Sequence, residues 1–447
     1  MLMYDIAIIG SGMAGYTAAL EAAKKEKKVA LIERKMIGGT CLNRGCIPTK
    51  TYLRISREIM TGMRPKDRQS TESEIKQVIK RLRNGLTNSL NHDMIDIYRG
   101  TAEIVDRHTV LVKEKKELLN AKCIVIASGS LPNSLCVPGI DSKNVFTTDH
   151  AFDIDNILPS SIAIIGGGVI GIEFAYLLNS IGAKVYLIEM NRHILQDMGS
   201  SLADAVEKDL AAQGVTFFKE SSIFEIDEAD DESIISFYEY GKKKQIVVEK
   251  VLVAIGRKPN IMIGGIDQIG IKIENGRIKV NAEYQTSVDN IYAIGDVAAK
   301  KQLAYTASHQ AKKLIEILYD NIVGRTEEYE ELIPQCVYIH PEIAAIGINE
   351  EEAKRRIMDF RIGKYSMYAN GMAHIQKTTT GFIKLIINNK DNLLIGAELY
   401  CENAVDIIPI IESFMINKTG VRTISEMYFP HPSFVEGIKE CIYQAEL

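Results

Sequence analysis

Near its start the chain places four consecutive apolar residues, 6–9, between polar neighbours. A run of that length, bounded by a glycine turn, predicts a strand buried on both faces of a parallel sheet. Residues 16–24, rich in Ala, Leu and Glu, predict a helix, and residues 28–33 a second strand. The same order then returns. IAIIGSGMAG from Ile6 to Gly15 is matched by IAIIGGGVIG from Ile162 to Gly171, an offset of 156 residues. Val29, Leu31, Ile32 and Glu33 match Val185, Leu187, Ile188 and Glu189 at that offset. A repeat that preserves the second strand and its terminal acid predicts two copies of one βαβ unit.

Between the copies, residues 51–91 are polar and helix-favouring, and residues 99–123 alternate like an antiparallel meander. Core strands are expected at 123–130, 251–260 and 290–297. From residue 329 the texture changes to alternating strands (381–387, 392–400) and an apolar helix (404–417). The expected fold class is α/β, with two Rossmann-like dinucleotide-binding domains and a C-terminal α+β domain. The boundaries fall at 1–146, 147–276, 277–328 (completing the first domain) and 329–447.

Composition narrows the function classes. Hydrophobic residues are 46% and charged residues 25% of 447, as in globular proteins, and a net charge of -5 argues against a nucleic-acid footprint. Apolar runs such as 161–172 are broken by glycines and too short to span a membrane. The first fifteen residues lack the basic start of a secretory signal, so residues 6–9 read as core and the protein is placed in the cytoplasm. No metal site is expected. Seven cysteines in a chain this long do not form a disulfide framework, and Cys123, Cys136, Cys336, Cys401 and Cys441 are scattered, most of them expected to be buried.

The glycine patterns have the context their chemistry requires. Gly10, Gly12 and Gly15 follow a strand, open a helix and precede Glu33; Gly166, Gly168, Gly171 and Glu189 repeat the arrangement. The first glycine permits the turn, the second lets a pyrophosphate approach the backbone, and the third lets helix and strand pack closely. The helix N-terminus meets the phosphates and the acid meets the ribose hydroxyls. Two dinucleotide sites follow. The first copy runs into a segment holding two cysteines, and a flavin must lie beside a redox disulfide to exchange electrons with it. The first site is therefore expected to hold FAD and the second a nicotinamide nucleotide. Glu189 favours NAD over NADP, since a carboxylate about 4 Å from a 2′-phosphate costs up to about 4 kcal/mol, roughly a thousandfold. Arg192, three residues on, opposes this preference.

The cysteine segment, Gly38 to Lys50, reads GGTCLNRGCIPTK. Cys41 and Cys46, five apart among glycines at a helix start, admit either a small disulfide or two buried thiols, and a helix N-terminus favours the thiolate. With this segment the chain resembles the class I pyridine nucleotide-disulfide oxidoreductases along essentially its whole length. The IASGS turn, AIGRKPN, AIGDV and HPSFVE are further landmarks, and CLNRGCIPTK is most similar to the dihydrolipoyl dehydrogenases.

That resemblance implies a redox-active Cys41–Cys46 disulfide, with Cys46 facing a tightly bound FAD and Cys41 exchanging with substrate. It implies that Lys50 approaches the flavin and is fixed by Glu173, and that Asp296 binds the ribityl chain with Ala304 nearby. Gly39, Thr40, Ala102 and Gly256 join the cofactor-binding set. His431 oriented by Glu436 would be the base that exchange requires. In this family it reaches the cysteines of the other subunit, so the resemblance implies a homodimer with shared active sites. Ser433 stands for the usual Thr, Arg44 for the common Val between the cysteines, and Tyr305 where a histidine is usual. The implied activity is oxidation of protein-bound dihydrolipoamide with reduction of NAD+, the partner being a lipoyl-bearing protein of a 2-oxoacid dehydrogenase or glycine-cleavage complex. An NADPH-driven reductase of a small disulfide is the main rival. A mercuric reductase would need a C-terminal cysteine pair where only Cys441 stands, and a redox sensor would need no base.

Overall fold

A computed structural model describes residues 3–153, 156, 158–320 and 332–446. The boundary expected between 328 and 329 lies outside the described residues.

The first unit opens with β1 (Met3–Ile9), α1 (Met13–Lys24) and β2 (Val29–Glu33). β1 lies between β2 and a later strand, Glu117–Ile126, parallel to both, which is why Ile6, Ala7 and Ile8 are fully buried. Three helices follow β2: α2 (Gly39–Arg44), α3 (Cys46–Met60) and α4 (Arg68–Leu90). Ile95–Arg99 extends the sheet beyond β2, and the expected meander is present as Ala102–Asp106, Thr109–Val112 and Glu117–Ile126. A strand from far along the chain, Ile291–Ala293, joins Glu117–Ile126 in parallel and makes the sheet seven-stranded.

The second unit repeats the plan. Ser161–Ile165 lies between Lys184–Ile188 and Lys250–Val253 in an all-parallel five-stranded sheet, with α5 (Val169–Ser180) following the glycines. Two expected strands are shorter than their apolar runs. The run at 251–260 breaks at Gly256, and Arg257–Pro259 instead pairs antiparallel with Ser130–Pro132. The run at 290–297 ends at Ala293, and Gly295–Val297 forms a tight turn. A meander of Ser221–Ala229, Glu232–Glu239 and Lys242–Val248 had no counterpart in the sequence reading. Its inward residues Ile226, Ile235, Phe237 and Val248 pack against Val251 and Val253, while Lys242 to Gln245 face outward and mask the alternation.

The C-terminal part is a five-stranded antiparallel sheet in the order Gln335–Val337, Glu342–Gly347, Leu394–Cys401, Phe382–Asn388, Phe360–Ser366. Ala404–Ile416 packs on the second and third of these strands, and Gly437–Glu446 on the last two. A buried polar seam ties it to the second unit: Lys384 Nζ donates to Ser201 Oγ at 3.0 Å, and Ser201 Oγ donates to Glu398 at 2.7 Å. One apolar cluster unites Tyr52, Leu53 and Ile55 of α3, Ile172 and Phe174 of α5, and Val337 and Ile339. The helix that begins with Cys46 is thereby held against the second unit and the C-terminal sheet. Among the described residues no helix is long and apolar enough to cross a membrane.

Candidate active site

β1 delivers the chain into a turn at Gly10, whose φ of 102° is open to glycine and disfavoured for other residues. A Cβ there would lie 2.4 Å from the Ala127 carbonyl oxygen, and one on Gly15 would lie 1.8 Å from the Gly10 carbonyl oxygen. α1 therefore rests directly on the turn. Gly166 and Gly171 repeat both approaches at 2.6 and 1.9 Å. Gly12 and Gly168 cap α1 and α5 with no side-chain hydrogen bond, which leaves first-turn N–H groups for a phosphate. Around Gly168 there is open space, and Gly39 closes on Gly12 so that a Cβ would lie 2.6 Å from the Gly12 Cα.

The two acids first clamp their own loops. Glu33 Oε2 accepts from the Ser11 amide at 2.9 Å and hydroxyl at 2.6 Å, and Oε1 accepts from the Lys35 amide at 2.7 Å. Glu189 accepts from the Gly167 amide at 2.6 Å and from the Asn191 amide and side chain at 2.8 and 2.7 Å. Both are buried, 8% and 7% exposed. A carboxylate has about four lone-pair sites, so about one remains on each for a ribose hydroxyl.

Cys41 on α2 and Cys46 at the first position of α3 form a disulfide, with Cα atoms 4.7 Å apart. Asn43 donates to the Ile37 and Gly39 carbonyls at 3.0 and 2.8 Å and pins α2 against the glycine loop. Cys46 meets the positive end of a 15-residue helix, a place that favours a thiolate once the bond opens. A cavity of about 600 Å³ runs from the first glycine loop to this disulfide. Gly10, Gly12, Glu33, Gly39 and Thr40 line one end; Cys41, Cys46, Lys50 and Glu173 line the other. Ala102, Asp296 and Ala304 also line it. A flavin dinucleotide fits this cradle, since glycines with no room for a Cβ, free helix N–H groups and a buried acid converge where its pyrophosphate and ribose would lie. Gly15 sits beneath the turn, and Gly166, Gly168, Gly171, Glu189 and Gly256 lie outside this cavity, in the second unit.

Lys50 Nζ lies 2.8 Å from both Glu173 oxygens. Glu173 is 2% exposed and also accepts from the Tyr338 amide at 3.0 Å. The Tyr338 ring lies under the lysine, 4.4 Å from Nζ to its centroid, a contact no local sequence signal announced. Cys336 beside it is half-buried, and burial pushes its thiol up to about 12, so it is protonated at neutral pH. Cys136 is exposed, and Cys123, Cys401 and Cys441 are buried, so most of the scattered cysteines are buried as expected. Asp296 accepts from Ser130 Oγ at 2.6 Å, and Ser130 in turn accepts from Arg257 Nε at 2.8 Å. Among the described residues no cluster of three or more His, Cys, Asp or Glu is placed to hold a metal ion.

His431 and Glu436 are joined at 2.9 Å between Nδ1 and Oε2. Glu436 Oε1 accepts from the Ser433 amide at 3.1 Å while its own amide donates to Ser433 Oγ at 3.4 Å. This is a reciprocal cap ahead of Gly437–Glu446, so serine does there what threonine does. The histidine side chain is 78% exposed and does not line the cavity of its own chain.

Residues 4–311 match the family model described as pyridine nucleotide-disulphide oxidoreductase, and residues 333–442 match that family's dimerisation domain. The chain is 32% identical to a dihydrolipoyl dehydrogenase of Bacillus subtilis over 99% of its length and 98% of the relative's. It is 31% identical to a dihydrolipoyl dehydrogenase of Zymomonas mobilis, again over 99% and 98%. Among solved structures, a Cu(II) complex of the HOCl-induced flavoprotein disulfide reductase RclA from Escherichia coli superposes with a TM-score of 0.91 at 28% identity, over 99% of each chain.

Two outcomes are expected from this geometry. Gly15→Ala pushes a methyl into the Gly10 carbonyl, and the purified protein should lose its flavin absorbance; retention of full flavin content would contradict the cradle. Lys50→Met leaves Glu173 buried without its counter-ion and should destabilise the protein by about 3 kcal/mol, the low end for a broken buried pair because the lysine is part-exposed. Chemical unfolding checks it, and Lys50→Met with Glu173→Leu should restore most of the loss.

Proposed function

Because this chain belongs to the pyridine nucleotide-disulphide oxidoreductases, we propose that it is a dihydrolipoyl dehydrogenase, oxidising protein-bound dihydrolipoamide and reducing NAD+. The observation that carries the reading is the Cys41–Cys46 disulfide sharing one cavity with the first dinucleotide cradle. The relatives' names and the string CLNRGCIPTK support dihydrolipoamide as the substrate.

In this reading His431 takes the proton of a dihydrolipoamide thiol, and Glu436 holds the ring in the required tautomer and orientation. The substrate thiolate attacks Cys41 Sγ, the Cys41–Cys46 bond breaks, and Cys46 is released as a thiolate at the start of α3. The second substrate thiol then displaces Cys41 and closes lipoamide. Bound FAD supplies a two-electron carrier between the Cys46 thiolate and the nicotinamide. Lys50 brings a cation to the flavin, and Glu173 with Tyr338 keeps that cation in place. Asp296, steadied by Ser130, holds the ribityl chain, and Glu189 selects NAD. The exposure of His431, away from its own chain's cavity, supports a homodimer in which each histidine serves the partner's disulfide. The likeness to a flavoprotein disulfide reductase supports a second reading, an NAD(P)H-driven reductase of another disulfide.

The test is an anaerobic assay of the flavin-loaded protein with dihydrolipoamide and either NAD+ or NADP+. NADH formation is expected with NAD+, abolished by Cys46→Ser and lowered about 10²–10⁴-fold by His431→Ala, the range for loss of a general base. Absence of turnover with both nucleotides would sink the dihydrolipoamide reading and leave disulfide reduction.

A further inference from the structure

One charged wall of the cavity takes no part in the mechanism above. Arg44 ends α2, three residues after Cys41, so the two side chains share a helix face. Its guanidinium reaches Asp149 Oδ2 at 3.4 Å. Asp149 lies in the tight turn Thr148–His150, at the end of an edge strand of the second sheet. Its other oxygen is 3.8 Å from Arg257 and is buried without a hydrogen bond. Arg257 is itself tied to Ser130 by two hydrogen bonds, at 2.8 and 2.9 Å. Arg44, Asp149 and Arg257 line the same cavity as the two cysteines.

Reduction changes the charge of this place. When NADH is oxidised to NAD+, two electrons and one proton break the S–S bond and leave one thiol and one thiolate. The new anion, Cys46, starts α3 two residues beyond Arg44, and the new thiol, Cys41, lies one turn before that arginine. Asp149 is backed by the fixed Arg257, whereas Arg44 has a flexible stem and is part-exposed. Burial lowers the pKa of Arg257 while Asp149 and Asp296 pull it back up, so the acid and this cation hold one another.

We propose that Asp149 is a positioning residue that sets the reduction potential of the Cys41–Cys46 couple by competing with the reduced pair for the Arg44 guanidinium. This rests on the redox reading of that disulfide given under the proposed function. With Asp149 in place the oxidised state is favoured. Without it, Arg44 turns to the thiolate and the reduced state gains.

The test equilibrates the flavin-loaded enzyme anaerobically with mixtures of reduced and oxidised dithiothreitol, alkylates the free thiols, and quantifies the Cys41 and Cys46 peptides by mass. Asp149→Asn should raise the equilibrium constant for reduction about tenfold, a potential about 30 mV higher. Arg44→Met leaves Asp149 facing the thiolate and should shift the constant about as far the opposite way. The double variant should return close to wild type, and Arg44→Lys should stay there. Shifts of the same sign in the two single variants, or no shift in either, would overturn the proposal, because a role in packing alone moves both together. If the wild-type cysteines yield no thiols in any mixture, the redox reading falls and the proposal with it.

Discussion

A carboxylate buried in the helix of the second glycine motif has to be paired, and that requirement organises the centre of this molecule. Glu173 is almost fully enclosed, and both its oxygens face one lysine. That lysine sits one helical turn past Cys46, so the pair that neutralises the acid also sets the distance from the disulfide to the second unit. The Tyr338 amide and ring close the third side from the C-terminal strand segment. Three stretches that are remote in sequence therefore converge within the length of one side chain. A buried ion pair is a poor source of stability, but breaking one is expensive, and alternative packings of the two units are penalised accordingly.

The nucleotide cradles work by close approach. At Gly15 and Gly171 a helix rests on the carbonyl of the turn that precedes it, and the acid at the end of the next strand ties that turn down from the other side. The cradle is thus shaped before any ligand arrives, which reduces the ordering that binding must supply. The first cradle opens into the disulfide cavity, whereas the second reaches it only through α5, its glycines and Glu189 lying outside, the asymmetry expected when one nucleotide must touch the sulfurs and the other need not.

Much of this was legible in the sequence, for identifiable reasons. The repeat was visible because a βαβ unit carries its signals locally: a four-residue apolar run, glycines at fixed offsets and a terminal acid. Cys41, Cys46, Lys50 and Glu173 were legible through family resemblance, and the first cavity brings them together. What stayed hidden depends on long-range contact. Ser130 with Asp296 and Arg44 with Asp149 are each more than a hundred residues apart, and no periodicity encodes such a meeting. The meander from Ser221 to Val248 was hidden differently, because its outer face carries a run of lysines where alternation would otherwise show. Of the five scattered cysteines most are buried as expected, Cys123, Cys401 and Cys441, while residue type, which predicts burial only on average, did not single out Cys136 and Cys336 as the exceptions.

The central claim is that electrons pass between a pyridine nucleotide and the Cys41–Cys46 bond in one chain. The most direct measurement is an anaerobic titration of the flavin-loaded protein with NADH, followed by alkylation and counting of new thiols. One equivalent of NADH per chain should produce two new alkylated cysteines, both of them Cys41 and Cys46. Bleaching of the flavin with no new thiols, or new thiols at other cysteines, would contradict the account.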